Sequence, residues 1–291
     1  MDVFKTIVGD SRFIDITDDN FTRETGKRRP YYNTDGDRLR CFAVCPACDN
    51  PIQIIGLYKA EEEASRSPYG RHTPRSVPLL AEYDQDAYLG CPFSDPGHRR
   101  TANGRRSPKN RTGIAIRNLM RDQFDRIVYI WSKQTGIRLS HAFAEKLLRQ
   151  WRDDEGWRFH IANYQNLPFA LLYAQPALPL YGRLVSSSSP LHTALVRRPE
   201  IRMVPSVNGK YSQVKSSDGG YVDPSFFVSE HRQEVVDERL EESFLLTVTL
   251  SDETVYRERI MVDHSFLTNL MKSETGHRDR DFLDIAARVL R

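Results

Sequence analysis

Cys45-Pro46-Ala47-Cys48 and Cys91-Pro92-Phe93-Ser94-Asp95-Pro96-Gly97-His98, with 42 residues between them, are the stretches on which the fold of this 291-residue chain turns. Two sulfurs can share one metal ion only if they lie a few ångströms apart. A C-x₂-C turn brings them that close, and Pro46 stiffens it by fixing its own φ. The second stretch is dense in turn formers and can fold its ends together. The pair reads as a zinc site with Cys45, Cys48 and Cys91 as ligands and His98 as the first candidate for the fourth. His72, in Tyr69-Gly70-Arg71-His72, is the second candidate. Cys41 comes third. If residues 39–44 form a strand rising ~3.3 Å per residue, Cys41 and Cys45 stand too far apart for one ion. Cys41 then packs as a small apolar residue. Four protein ligands with no open position make such an ion structural rather than catalytic.

Disulfides are the alternative use of these thiols. No signal peptide opens the sequence, so a reducing cytoplasmic setting is expected and disulfides are disfavoured. An apolar content of 39% with 10% aromatics supports a folded core. No apolar run approaches the ~18 residues of a membrane span.

The net charge of +3 hides an uneven distribution. Residues 99–121 carry Arg99, Arg100, Arg105, Arg106, Lys109, Arg111, Arg117 and Arg121 and not one Asp or Glu, which leaves the rest of the chain net negative. A basic segment beside a metal-stapled turn suits nucleic acid, because phosphate contacts release counterions. Arginine over lysine favours planar, bidentate contacts to phosphate or guanine.

Outward from the cysteines, the pattern predicts an α+β protein. Residues 1–112 read as a zinc-stapled, β-rich domain carrying the basic loop. In it, apolar runs at 39–44 and 52–58 form a hairpin with the C-x₂-C turn at its tip. Residues 113–291 read as a helical pair followed by an antiparallel-sheet region. Ile116, Met120, Phe124, Ile127, Val128 and Trp131 give the first helix one apolar stripe, and Ser140 caps the second, which buries Phe143, Leu147, Leu148 and Trp151. Strands are expected at 169–174 and 178–185, and hairpins at 201–215 and 244–262. The acidic run 233–242 reads as a solvated helix face. Ser186 to Pro190 is the best linker candidate, a further boundary within the second region. A last helix buries Phe282, Ile285, Ala286 and Val289.

The usual signatures of nucleotide, dinucleotide, serine-hydrolase and zincin chemistry do not occur. Zinc-deaminase chemistry needs an upstream H-x-E and the order P-C-x-x-C. Here no histidine precedes His72, and Val44 stands where the proline would be. Gln213-Val214-Lys215 with Glu200 has the spacing of a metal-dependent nuclease half-site, but one carboxylate is replaced by an amide, and an exposed edge-strand lysine is the simpler reading. The expectation is therefore a zinc-scaffolded nucleic-acid-binding protein, a non-catalytic subunit of a larger nucleoprotein assembly. The alternative is a zinc-stabilised protein–protein assembly subunit, with the nuclease third.

Overall fold

In the computed structural model, which describes residues 1–35, 38–58, 67–94, 104–173, 175–220 and 222–291, the chain is α+β with antiparallel sheets. It divides into two compact units. The first is Met1–Asn118 with Trp157–Tyr164 and Gln233–Glu241; the second is Leu119–Gly156, Gln165–Arg232 and Glu242–Arg291. The first unit thus runs past the expected boundary at 112 and takes in two later segments, which no single cut in the sequence could express.

The first unit opens with a short ribbon of β1 (Val3–Phe4) and β2 (Ile14–Asp15). In α1 (Asp18–Thr25), the Thr17 side chain caps the start by accepting from the Asn20 amide at 3.1 Å. Gly26 ends the helix in the left-handed region (φ 59°), where a side chain would be strained. Strands β3 (Tyr32–Asp35), β4 (Arg38–Val44), β5 (Pro51–Ile55) and β6 (Tyr69–His72) pair in that order. Phe4, Phe21, Cys41, Ile52 and Ile54 pack into the buried core of this sheet. The short α2 (Gln85–Leu89) follows, and α3 (Arg111–Asp122) begins here with the Asn110 side chain accepting from the Gly113 amide at 2.9 Å.

The second unit holds α4 (Phe124–Thr135), β7 (Ile137–Arg138), α5 (His141–Asp153), α6 (Leu167–Tyr173), β8 (Leu178–Pro179), β9 (Leu184–Ser186) and α7 (Pro190–Val196). Then come β10 (Ile201–Pro205), β11 (Tyr211–Ser216), β12 (Pro224–Val236), β13 (Arg239–Leu250), β14 (Glu253–Met261), α8 (Phe266–Met271) and α9 (Arg280–Val289), of which the adjoining ends of β12 and β13 within Gln233–Glu241 are counted in the first unit. They make two four-stranded sheets, β10-β11-β9-β7 and β14-β13-β12-β8. Ser140 caps α5 as expected, and α9 buries Phe282, Ile285, Ala286 and Val289. A buried polar knot lies in this unit. Glu242 accepts from His231 at 2.6 Å, Asn166 at 2.7 Å and His264 at 3.0 Å.

Four expectations are corrected. The helix expected from residue 113 is two helices, α3 and α4, separated at Gln123, whose φ of −129° leaves the helical region. Residues 167–173 form a helix rather than a strand. The run Leu-Pro-Phe-Ala-Leu-Leu-Tyr is buried nearly all round, so periodicity could not separate the two states. Ser186 to Pro190 is no linker: Ser186 closes β9 and Ser189 caps α7, all inside the second unit. The acidic run 233–242 lies in the β12–β13 hairpin, whose turn places Asp237 and Glu238 at positive φ. Along β12 exposure alternates residue by residue, which is a strand's period rather than a helix's.

Candidate metal centre

Three separate segments of the first unit deliver the site. The β4–β5 connection is a tight loop in which the Cys45 amide donates to the Asn50 carbonyl at 2.8 Å. Its far side turns through Asp49, held at φ 62°, a conformation that Asp tolerates better than most residues. This loop carries Cys45 and Cys48. His72 is the last residue of β6 and pairs with Ile52 on β5. Close approach of that strand requires Gly70, because a Cβ there would meet Ile52 Cδ1 at 2.9 Å. Cys91 follows α2, and a Cβ on the intervening Gly90 would meet His160 Cγ at 2.9 Å.

The ligand atoms of Cys45, Cys48, His72 and Cys91 all lie within 4.8 Å of one another. The Cys45 and Cys91 sulfurs are 3.7 Å apart, and His72 Nε2 is 3.3 Å from the Cys48 sulfur and 3.7 Å from that of Cys91. A tetrahedral ion with bonds of about 2.3 Å to sulfur and 2.0–2.1 Å to nitrogen would set S–S and S–N separations of roughly 3.5–3.8 Å. The arrangement could therefore hold a metal ion and is compatible with zinc.

Burial and close proximity shift all four groups. All three cysteines are at most 3% exposed, so burial opposes their thiolate forms. Cys48 and Cys91 are pushed up by that burial, Cys91 further by the hydrogen bonds its thiol donates to Cys45 and Cys48. Cys45, although buried, is held well below the ordinary thiol range by hydrogen bonds from Cys48 and Cys91 and by the charge of His72. Burial lowers His72, but the charge of Cys48 and Cys45 outweighs it and raises the imidazole well above its usual range. Three thiolates together require a cation in their midst.

Supporting residues fix the ligands. Asn50, fully buried, donates to the Cys48 sulfur at 3.3 Å and to the Asp84 carbonyl at 3.0 Å, and accepts from the Asp84 amide at 2.7 Å. It thereby ties the cysteine loop to the start of α2. Asp49 is the centre of a second buried network. It pairs with Lys5 at 2.5 Å and accepts from the Gly9 amide at 2.8 Å, Thr112 at 2.8 Å and Tyr164 at 2.5 Å. Lys5 also donates to the Asp10 carbonyl at 2.8 Å and lies over the Tyr164 ring at 4.2 Å. Burial, then Asp49, pushes the Tyr164 hydroxyl well up, so it stays a donor. Sequence reasoning missed both Asn50 and Asp49; the only signal was their place directly after Cys48.

The fate of the other expected site residues is mixed. His98, with Arg99 and Arg100, lies outside the described residues, and the fourth ligand position in the cluster is taken by His72. Cys41 sits on β4 in the apolar core, its thiol pushed up to about 11 by burial. Arg106 is a correction. Only 4% exposed, it donates to the carbonyls of Trp157 at 3.3 Å, Phe159 at 2.5 Å and Ala162 at 2.8 Å, so it cannot reach a phosphate. Arg105, Lys109 and Arg111 are exposed, with Arg111 paired to Glu82 at 2.8 Å and Arg105 lying 4.5 Å from the Phe159 ring centroid. Arg117 is half-buried over Trp157, 5.5 Å from the ring. Arg121 pairs with its neighbour Asp122 at 2.8 Å.

For the nuclease half-site, Gln213 and Lys215 fall on β11, an interior strand rather than an edge. The Gln213 amide is committed to the Gly182 carbonyl at 2.9 Å and Glu200 lies 3.7 Å from Arg198. Among the described residues, the other group of three metal-ligating side chains is the partly exposed His141, Asp279 and Asp281. No described helix is long and apolar enough to cross a membrane. Compared with known proteins, the chain matches no family model, no curated protein and no solved structure.

Proposed function

We propose that this is a zinc-scaffolded nucleic-acid-binding protein, a non-catalytic subunit of a larger nucleoprotein assembly. Zinc at Cys45, Cys48, His72 and Cys91 serves as a staple: three sulfurs and a nitrogen fill a tetrahedron and leave no position for a reacting water. Reduced, buried thiols suit a reducing compartment such as the cytoplasm.

The observation that carries the reading is the pairing of arginine with aromatic rings along one segment of the first unit. Arg105 lies over Phe159 and Arg117 over Trp157, with both rings half-buried and two residues apart. The Arg158 side chain donates to the Arg106 carbonyl in the same segment, and the exposed Lys109 follows in sequence. Guanidinium and aromatic faces side by side offer phosphate contacts together with stacking, the combination that single strands reward.

The test is fluorescence anisotropy of labelled single-stranded DNA, single-stranded RNA and duplex DNA over a salt series. Replacing Arg105, Lys109 and Arg117 together by Gln should weaken binding and make the slope of log affinity against log salt shallower by about 0.7–0.9 per lost phosphate contact. An unchanged slope and affinity in a folded, zinc-loaded triple variant would refute the reading and favour the protein–protein assembly subunit.

A further inference from the structure

The second unit contains a cavity of about 510 Å³ that the zinc centre does not involve. Its floor follows from sheet register. Arg138 on β7 is paired with Leu184 on β9, Leu184 with Gln213 on β11, and Gln213 with Val204 on β10. Residues directly opposite across antiparallel strands share a face. These four therefore form one row across the sheet, and all four line the cavity.

Two cations stand on this wall. Arg183, next to Leu184 in the chain, is half-buried with its guanidinium 3.5 Å from the centre of the Phe143 ring. Its Nε donates to the Pro179 carbonyl at 3.3 Å, which leaves the two terminal nitrogens of the fork for another partner. Arg138 is exposed, 5.6 Å from the Tyr211 ring. Neither has a carboxylate partner among the described residues. The one acid on the wall, Asp279, is already engaged: it accepts from the Asp281 and Phe282 amides at the start of α9 and lies 3.3 Å from His141 Nε2. The lining is thus net positive where the arginines stand. Leu139, Pro205 and Phe282 supply an apolar wall beside them.

From this juxtaposition we infer that the cavity is a binding site for a phosphomonoester carrying a flat, nucleotide-sized body, its dianionic phosphate held between Arg138 and Arg183. Guanidinium forks match phosphate oxygens in pairs, and a volume of this size suits a small organic ligand rather than a lone inorganic ion. The start of α5 lines the same cavity through Ser140 and His141, and a helix N-terminus adds positive potential there. The same chemistry is presented by a free mononucleotide and by the 5′-phosphorylated end of a strand.

The experiment uses the full, zinc-loaded chain and three probes: adenosine 5′-monophosphate, a 5′-phosphorylated ten-residue oligothymidylate and the same oligonucleotide without its phosphate. The phosphorylated strand should bind about tenfold more tightly than the unphosphorylated one. R138Q and R183Q should each erase about tenfold of affinity for phosphorylated probes and leave the unphosphorylated strand unaffected. Saturable binding of the mononucleotide identifies the free nucleotide as the ligand; preference for the phosphorylated strand without it identifies the strand end. Equal binding with and without the phosphate overturns the inference. So does binding that R138Q leaves intact, and Arg138 is exposed enough for that variant to fold even if R183Q does not. Binding that needs an added divalent cation and survives both changes would overturn it in favour of a cation held by His141 and Asp279 on the cavity wall. The inference does not rest on the Arg105–Arg117 surface: the mononucleotide arm reads this cavity even if nucleic-acid binding by the first unit fails.

Discussion

Replacing Asp49 by Asn should cost the first unit about 3–5 kcal/mol, because it removes one partner of a buried ion pair and leaves the other charge behind. Lys5 and Asp49 are 1% and 6% exposed and 2.5 Å apart. After the change, the Lys5 ammonium would face a neutral amide oxygen in place of the carboxylate, with the Asp10 carbonyl and the Tyr164 ring as its other partners. Asparagine is nearly the same size and tolerates φ 62°, so neither a cavity nor backbone strain enters the comparison. Lys5→Met is the informative counterpart. It also breaks the pair, yet the Asp49 carboxylate would keep three donors, from Gly9, Thr112 and Tyr164. Its cost should therefore be smaller than that of Asp49→Asn. The assay is native-state hydrogen exchange of β4 and β5 amides in the zinc-loaded protein under urea. A cost for Asp49→Asn below about 1 kcal/mol, or a Lys5→Met cost equal to or above it, would refute the idea that an uncompensated buried ammonium sets the penalty.

Three further outcomes are expected. His72→Ala should lose zinc and His98→Ala should retain one equivalent, read by elemental analysis of the purified variants; the reverse result would move the fourth ligand to residue 98. Arg106→Gln should destabilise the protein by roughly 2–4 kcal/mol in urea unfolding, because buried carbonyls lose charged donors, while Arg105→Gln should change stability by less than about 0.5 kcal/mol. Burial would raise the Glu242 carboxyl, but hydrogen bonds from His231 and His264 and their charge hold it well below the ordinary carboxylate range. A depressed folded-state value contributes stability above the unfolded carboxyl range, near pH 4.3, and that contribution is lost as pH falls further. Acid unfolding should therefore be flatter below about pH 4.3 in Glu242→Gln than in the natural protein; identical acid limbs would remove Glu242 from the account.

The grouping of the cysteines was legible because their chemistry is local: a C-x₂-C turn declares itself in four residues. His72 was harder, since its claim depends on β6 lying beside β5, a pairing across the long span from residue 55 to residue 69. Arg106 shows the opposite failure. In a run of eight basic residues nothing marks one arginine as buried, and only the backbone carbonyls of Trp157, Phe159 and Ala162, some 50 residues on, decide it. The helix cap at Ser140 and the β13–β14 hairpin follow short-range rules and could be read in advance. The helix of residues 167–173 could not, because a fully buried apolar run carries no periodicity to read.

The first unit is assembled from three stretches of chain, the last of them Gln233–Glu241. Its four candidate metal ligands are all synthesised by residue 91, yet the segment that completes the unit emerges some 150 residues later. At about 5–20 residues per second, the cysteines would wait several seconds or more on the ribosome before the unit could close around them. During that interval the thiols face oxidants, competing metals and other nascent chains without their final packing. Any shortened version ending before residue 241 would make that interval permanent, so the candidate metal centre should be hardest to load in the fragments that look most like a free-standing N-terminal domain.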